Sequence, residues 1–394
     1  MPGTLRGTPR VSVLMPSYNH APFVAQAIES VLGQSFEDLE LIVTDDGSTD
    51  GTPDIVRRYR DPRLSLEIFP QNQGACQATN RCLERARGEY IALLNSDDYY
   101  MPGKLARQVA IMDRRPGLGA VFSQAHLVDE AGAPVTDRAN PFTRLFTTIH
   151  PNRYAWLRMF FFQGNGLCQP TALARRRIYQ EIGPFDPALR QLHDFDMWVR
   201  LCARYPIHVM PEATLHYRVL TTGGNASAPG ASVFRRTQWE HTRIRHRYRA
   251  MDEATLRHVF IADIPQSIAA RNLPMPLALA LAMAARPEPA LQLFALETLQ
   301  HAVDQQQPGI GPKDLHAVSG AIDPLRVTEF NANLEAALEA THQRDGARMQ
   351  VEALAAALER QTATVAASAA ALTALRDEMT ATMTGLRGPS QWQP

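Results

Sequence analysis

Up to Ser123 the chain alternates between short apolar blocks and stretches with helical periodicity. Val11-Ser-Val-Leu-Met15 is one such block, ended by Pro16. Leu39–Val43, Leu64–Phe69, Tyr90–Leu94 and Leu118–Ser123 repeat it. Blocks of this length bounded by turn formers predict buried strands. Between the first two, Val24, Ala27, Ile28, Val31 and Leu32 recur at helical spacing behind Pro22, which suits a first helical turn. Helices are likewise predicted over Ile55–Tyr59, Ala75–Ala86 (stopped by Gly88) and Lys104–Arg114. Strands separated by helices need crossover connections, so the pattern predicts an α/β fold, a mixed, mostly parallel sheet flanked by helices. In such sheets ligands sit beyond the carboxyl ends of the strands. Those ends are polar here: Pro16-Ser17-Tyr18-Asn19, Thr44-Asp45-Asp46, Pro70-Gln-Asn-Gln-Gly74 and Asn95-Ser96-Asp97-Asp98.

Residues 140–240 are less regular. Asp194–Arg204 reads as a helix with Phe195, Trp198, Val199 and Cys202 on one face, and Val209–Val219 as an extended segment. Residues 221–230 have the composition of a flexible loop. From 241 to 340 the Ala and Leu periodicity is helical, broken at Pro265, Pro274, Pro287 and Pro308. Val351, Leu358, Val365, Leu372, Met379 and Leu386 then recur at heptad spacing, with Leu354 and Leu375 at matching d positions. That seam predicts either a coil joining copies of the chain through residues 351–386, or a lone amphipathic helix packed on its own domain. The expected organisation is a disordered 1–10, an α/β domain over 11–240, an α-helical domain over 241–340, a long helix over 341–388 and a disordered 389–394.

Composition narrows the functions. Lys plus Arg equals Asp plus Glu, at 40 each, so net charge offers no bulk attraction to nucleic acid. The cysteines Cys76, Cys82, Cys168 and Cys202 form no metal-ligand pair. Scattered thiols fit a reducing cytoplasm. Met1–Arg10 lacks the apolar core of a signal peptide, and the apolar run Leu277–Ala285 is too short to span a bilayer. Arg235, Arg236, Arg243, Arg245, Arg247 and Arg249 form a locally basic stretch. It suits either an anionic acceptor or the inner membrane surface, or a solvated helix face paired with acids.

Adjacent carboxylates at a strand end repel one another unless a cation lies between them. Oxygen ligands suit magnesium or manganese, which keep positions open for substrate phosphates. Asp97-Asp98 therefore reads as a metal–diphosphate site, or else as a cap for the helix after Pro102. Asp45-Asp46-Gly47-Ser48 reads as a capped turn, or as an acid that accepts a hydrogen bond from a base or ribose. Tyr18 on the neighbouring loop is placed to stack on a base. A dehydrogenase would need GxGxxG after the first strand and a P-loop enzyme GxxxxGK[ST]; neither occurs.

Val11-Ser-Val-Leu-Met-Pro-Ser-Tyr-Asn19, Ala27-Ile-Glu-Ser-Val-Leu-Gly-Gln-Ser35 and Asp45-Asp-Gly-Ser-Thr-Asp50 resemble the start of family 2 glycosyltransferases. Asn72-Gln-Gly74, Ala86-Arg-Gly-Glu-Tyr90 and Asn95-Ser-Asp-Asp98 continue the match in order. Arg175-Arg176, Ile182-Gly-Pro-Phe-Asp186 and His193-Asp-Phe-Asp-Met-Trp-Val-Arg-Leu201 resemble that family's second half. The resemblance covers about half the chain. It implies a GT-A fold, a nucleoside-diphosphate sugar donor (a UDP-sugar by the acid that meets uracil), Mn2+ or Mg2+, and inversion at the anomeric carbon. It implies donor binding by Pro16, Ser17, Tyr18, Asp46, Asn72, Gly74, Asn95, Ser96 and Arg218. It makes Asp97 the metal ligand, with Asp98 and His216 as further candidates, and Asp194 the general base. Asn95 replaces the first acid of the DxD motif and brings no charge. Thr79 stands where many members have Arg, and His193 where an acid often precedes the base, facing solvent or tuning Asp194. The implied setting is cytoplasmic synthesis of surface polysaccharide, lipopolysaccharide or glycoconjugate, on a glycan, lipid-linked or protein acceptor. The competing expectation is a non-catalytic transferase-like platform that recruits partners through its C-terminal coil.

Overall fold

A computed structural model describes residues 7–136, 146–220 and 231–321 of the chain. The loop expected at 221–230, the remainder of the helical stretch to 340 and the heptad seam lie outside these residues. Eight strands form one sheet: β1 (Val11–Ser17), β2 (Leu39–Asp45), β3 (Leu64–Ile68), β4 (Tyr90–Leu93), β5 (Tyr99–Tyr100), β6 (Ala120–Val128), β7 (Leu173–Arg175) and β8 (Ile207–Arg218). Their order across the sheet is β3-β2-β1-β4-β7-β6-β8-β5. The pairings β1–β2, β1–β4, β2–β3 and β6–β8 are parallel, and β4–β7, β6–β7 and β5–β8 antiparallel. The expected mixed sheet is present, with its parallel half at the N-terminus.

Helices α1 (Val24–Leu32), α2 (Thr52–Arg58), α3 (Ala75–Arg85) and α4 (Lys104–Arg114) connect or flank these strands as the periodicity predicts. Pleating divides each strand between two cores. Val11, Val13 and Met15 of β1 pack with Ala27, Ile28 and Val31 of α1 and Leu105 and Val109 of α4. Leu14 and Ile42 face the other way, against Cys82 of α3 and the aromatic helices that follow. The helices of the second half are α5 (Arg153–Phe162), α6 (Arg176–Ile182) and α7 (His193–Arg204). Asn152 caps α5, its side chain accepting the N–H groups of Tyr154 and Ala155. Six further helices follow: α8 (Ala231–Arg245), α9 (Glu253–Phe260), α10 (Gln266–Ala269), α11 (Met275–Ala284), α12 (Pro289–Asp304) and α13 (Pro312–Ala321).

The apolar core beneath Leu14 and Phe122 runs unbroken through Phe161 and Trp198 to Phe260, Leu279 and Phe294. Phe161 alone makes edge-to-face contacts with Tyr248, Phe260 and Phe294, at centroid distances of 4.9, 4.9 and 5.3 Å. The helices after residue 241 thus share a core with the sheet. At the other end Arg10 is already fixed, donating to Asp113 at 2.8 Å and Glu89 at 3.1 Å. No described helix is long and apolar enough to cross a membrane.

Candidate active site

The loops beyond β1, β2 and β4 meet at one rim and are cross-linked there. Asn19 adopts a left-handed backbone, φ 52°. Its amide N–H donates to Ser48 Oγ at 2.8 Å, and its Oδ1 accepts the Thr49 N–H at 2.9 Å. Ser48 in turn donates to Asp45 through Oγ at 2.7 Å and its backbone N–H at 2.8 Å. Gly47 (φ 74°) allows the turn to close, since a Cβ there would lie 2.8 Å from the Gln71 carbonyl carbon. Asp46 accepts the N–H groups of Gln73 and Gly74 at 2.7 and 2.8 Å, so it fixes the loop that carries Asn72 and Gly74. Burial pushes its carboxyl up to about 6 despite those two bonds. Pro16 and Tyr18 are half-buried beside it. The Ser17 hydroxyl between them is buried with no hydrogen-bond partner among the described residues.

The β4 loop joins the same rim through His20, a residue the sequence did not single out. Its Nδ1 lies 2.8 Å from Ser96 Oγ, and its Nε2 lies 3.9 Å from Asp97 Oδ2. Asp97 is 6% exposed. Burial raises its carboxyl above the usual range, opposed by its electrostatic interactions with His20 and Arg218. Asp98 is engaged otherwise. Its Oδ1 accepts the Arg218 N–H at 2.7 Å and its Oδ2 accepts Asn95 Nδ2 at 3.0 Å. It therefore ties the β4 loop to the end of β8.

Arg218, expected to reach a diphosphate, is 2% exposed. Its guanidinium donates to the Asp97 carbonyl at 2.8 Å, to the carbonyls of Asp129 and Glu130 at 3.0 and 2.7 Å, and to Gln26 Oε1 at 2.7 Å. It also lies over the Phe23 ring at 4.5 Å. His216 stacks on Tyr99 at 4.5 Å, with its Nδ1 buried and unpartnered and its pKa lowered by burial. Thr79 is buried and bonds the Ala75 carbonyl of its own helix at 2.7 Å. Among the described residues no three His, Cys, Asp or Glu side chains converge tightly enough to hold a metal by themselves.

Asp194 is the second residue of α7. Its Oδ1 accepts the Phe195 N–H at 2.7 Å, and its Oδ2 accepts Asn165 Nδ2 at 3.0 Å. Both bonds favour the carboxylate, as does the helix N-terminus. Desolvation outweighs them and pushes the group up to about 7, poised to exchange a proton near neutral pH. His193 is buried rather than solvent-facing. It packs against Phe185 at 5.8 Å, and burial lowers its pKa to about 4. Two residues beyond Asp194, Asp196 is fully buried and bonds Arg200 Nε and Arg247 Nε, each at 2.7 Å. Arg200 also donates to the Ile182 carbonyl at 2.6 Å. These bonds lock the helix that carries Asp194. The basic stretch is mostly consumed in this way: Arg245 bonds the Phe161 carbonyl, and Arg249 bonds Thr298.

The family model described as "Glycosyl transferase family 2" matches residues 12–183. An uncharacterized glycosyltransferase of Nostoc sp. is 30% identical over 235 residues, covering 57% of this chain and 69% of that protein. The chain belongs to glycosyltransferase family 2. TuaG of Bacillus subtilis, named for teichuronic acid biosynthesis, is 40% identical over 129 residues, 32% of this chain and 51% of TuaG. The chain spans 32% of the length of one curated relative, an uncharacterized glycosyltransferase of Rickettsia felis, and 71% of another, from Methanocaldococcus jannaschii. S. aureus TarS, solved with UDP-GlcNAc, shares the fold at a TM-score of 0.51 and 19% identity, over 85% of this chain and 92% of that one. The family 2 match ends at residue 183. Asp194, Arg218 and the arginines behind α7 therefore lie beyond it, and their placement comes from the structure.

Proposed function

We propose that the chain transfers a sugar from a nucleoside-diphosphate sugar to a hydroxyl acceptor with inversion, and that Asp194 is the general base. The observation that carries this reading is the Asp194 carboxyl itself, held by Asn165 and the Phe195 N–H at the head of α7 and raised to about 7. As the acceptor oxygen bonds to the anomeric carbon, its proton passes to Asp194. The bond from that carbon to the diphosphate oxygen breaks, and the nucleoside diphosphate leaves with the electron pair. A carboxylate is a modest base, so much of the rate comes from holding the two reactants in line.

The donor's nucleoside belongs at the rim formed by Pro16, Ser17, Tyr18, Asp46, Asn72 and Gly74. The unpartnered Ser17 hydroxyl is a ready hydrogen-bonding group there, and Tyr18 offers a ring for the base. UDP-sugars are the first donors to test, given the UDP-GlcNAc bound by TarS. Asn95 and Ser96 border the sugar end. The buried Asp97 carboxylate is an oxygen ligand of the kind magnesium or manganese takes, and it would hold such an ion here. Such an ion supplies Lewis-acid stabilisation of the leaving diphosphate. Asp98 and Arg218, engaged with one another and with main-chain groups, brace the loop that presents Asp97. The TuaG relationship points to a surface-polysaccharide acceptor, and four buried free thiols fit a cytoplasmic setting.

The test is a panel of UDP-, GDP- and dTDP-sugars with and without manganese, read by sugar release and by thermal shift. Asp194→Asn is expected to keep metal-dependent UDP binding and to lose turnover by roughly 1,000-fold, within the usual range for a general base. Near-wild-type transfer by that variant would overturn the assignment. UDP binding indifferent to metal would favour the platform reading.

A further inference from the structure

Asp194 depends on a turn that has no regular structure of its own. Residues 190–192 lead into α7, and no side chain of the α7 N-cap bonds the helix start. Their N–H groups are instead gathered by one side chain from far along the chain. Glu240 of α8 is 1% exposed. Its Oε1 accepts the N–H of Arg190 at 2.9 Å, and its Oε2 accepts those of Gln191 at 2.9 Å and Leu192 at 2.7 Å. A buried carboxylate without partners would be very costly, whereas one fully hydrogen-bonded by main chain is a rigid fastening.

The same helix touches the second support of Asp194. His241 lies edge-on to Phe195 at 5.2 Å. A Cβ on Gly164 (φ 100°) would lie 2.7 Å from His241 Cε1. Gly164 precedes Asn165, the amide that bonds Asp194 Oδ2. Consecutive residues of α8 thus press on both the turn before the base and the loop that orients it. Neither residue falls within the stretch matched by the family model, 12–183.

We infer that Glu240 is a positioning residue for sugar transfer: by holding the 190–192 turn it sets where Asp194 meets the acceptor hydroxyl. The inference rests on the reading of Asp194 as the base. The charge of Glu240 also reaches Asp194 and contributes to raising its pKa, after the larger effect of burial. Among the described residues, the other titratable groups near Asp194 are the Cys168 thiol, within range of both Asp194 and Asp98, and His193 and Asp196 of its own helix. Glu240 is the carboxylate whose charge raises Asp194, so its removal should register in the titration of the base.

The experiment compares wild type with Asp194→Asn, Glu240→Gln and Glu240→Asp in the full chain with a UDP-sugar donor. Each is measured for kcat against pH, for donor KM, for UDP affinity and for thermal unfolding. Glu240→Gln is expected to lower kcat roughly 10- to 100-fold, the scale of a displacement near 1 Å, with donor KM and UDP affinity within about twofold. Its acid limb should move to lower pH, because an anion beside the base has gone. Glu240→Asp keeps the charge and should retain the wild-type acid limb while recovering part of kcat. A folded Glu240→Gln with wild-type kcat and an unmoved acid limb overturns the inference. If Glu240→Gln does not fold, Glu240→Asp decides: reduced kcat at unchanged UDP affinity supports the role, and wild-type kcat overturns it. Full turnover in Asp194→Asn would instead overturn the base assignment, so the two failures are distinguishable.

Discussion

Asp46 and Asp194 are both raised by burial, to about 6 and about 7, yet they are held in opposite ways. Each oxygen of Asp46 accepts a main-chain N–H from the loop it fixes. Asp194 accepts one N–H from its own helix and one side-chain amide, and the turn before it is held by a different carboxylate, Glu240. A carboxylate that fastens main chain loses that fastening when it is protonated. One whose surroundings are fastened by a neighbour can gain and lose a proton with the site intact. Asp46 is itself the fastening of its loop, whereas at Asp194 that task falls to Glu240.

The largest effect should come from Asp97→Ala, which is expected to abolish the metal-dependent part of UDP binding and lower turnover by on the order of 1,000-fold. Isothermal titration with and without manganese checks it, and unchanged metal dependence would mean that the ion is held elsewhere. Next is Arg218→Met. It strands the carbonyls of Asp97, Asp129 and Glu130 in a buried site and should cost about 3 kcal/mol or more of folding stability. Denaturant unfolding reads this, and a variant as stable as wild type that lost only donor affinity would return Arg218 to the diphosphate. Asp46→Asn should weaken UDP binding and cost about 1–2 kcal/mol, because an amide nitrogen then faces a main-chain donor. Loss of kcat alone in that variant would erase the contrast with Asp194.

The pH behaviour sharpens the contrast. With Asp194 as the proposed base, kcat should fall as pH drops below about 7. Its unfolded pKa is near 3.8, so between there and 7 the folded chain binds the extra proton and stability declines as pH rises. Asp194→Asn is therefore expected to melt above wild type at pH 8, with the gap closing towards pH 4. A melting temperature that ignores pH would remove the case for a raised carboxyl. The smallest effect is Thr79→Val, which loses one bond within its own helix and should leave donor KM unchanged, as enzyme kinetics would show.

The parallel half of the sheet was legible because β1, β2 and β4 are buried apolar runs and its helices keep a clear polar side; β3, at the edge, is only partly buried. Lys104–Arg114 matches residue for residue. Strands β5 and β7 were not legible, being two and three residues long. They exist only because β8 and β4 offer them partners. Helix α5 hid for another reason. Trp156, Leu157, Met159, Phe160 and Phe161 are buried around most of its circumference, so no amphipathic stripe marks it. The strand ends and the helix start at Asp194 could be read from local pattern together with family resemblance. His20, Asn165 and Glu240 could not, since each acts on a partner distant in sequence. Arg218 shows the opposite case: its position was visible, but its direction depends on carbonyls that only folding brings together.

The bond from the Arg218 N–H to Asp98 spans 120 residues, and β5 pairs with β8 alone among the described strands. A ribosome releasing this chain from its N-terminus will have delivered the loops of β1 and β2 long before β8 emerges. During that interval the segment around Asp97 has no edge to lie on and Asp98 has no N–H to accept. The turn around Asp46 is thus expected to form during synthesis well before the Asp97 loop is braced.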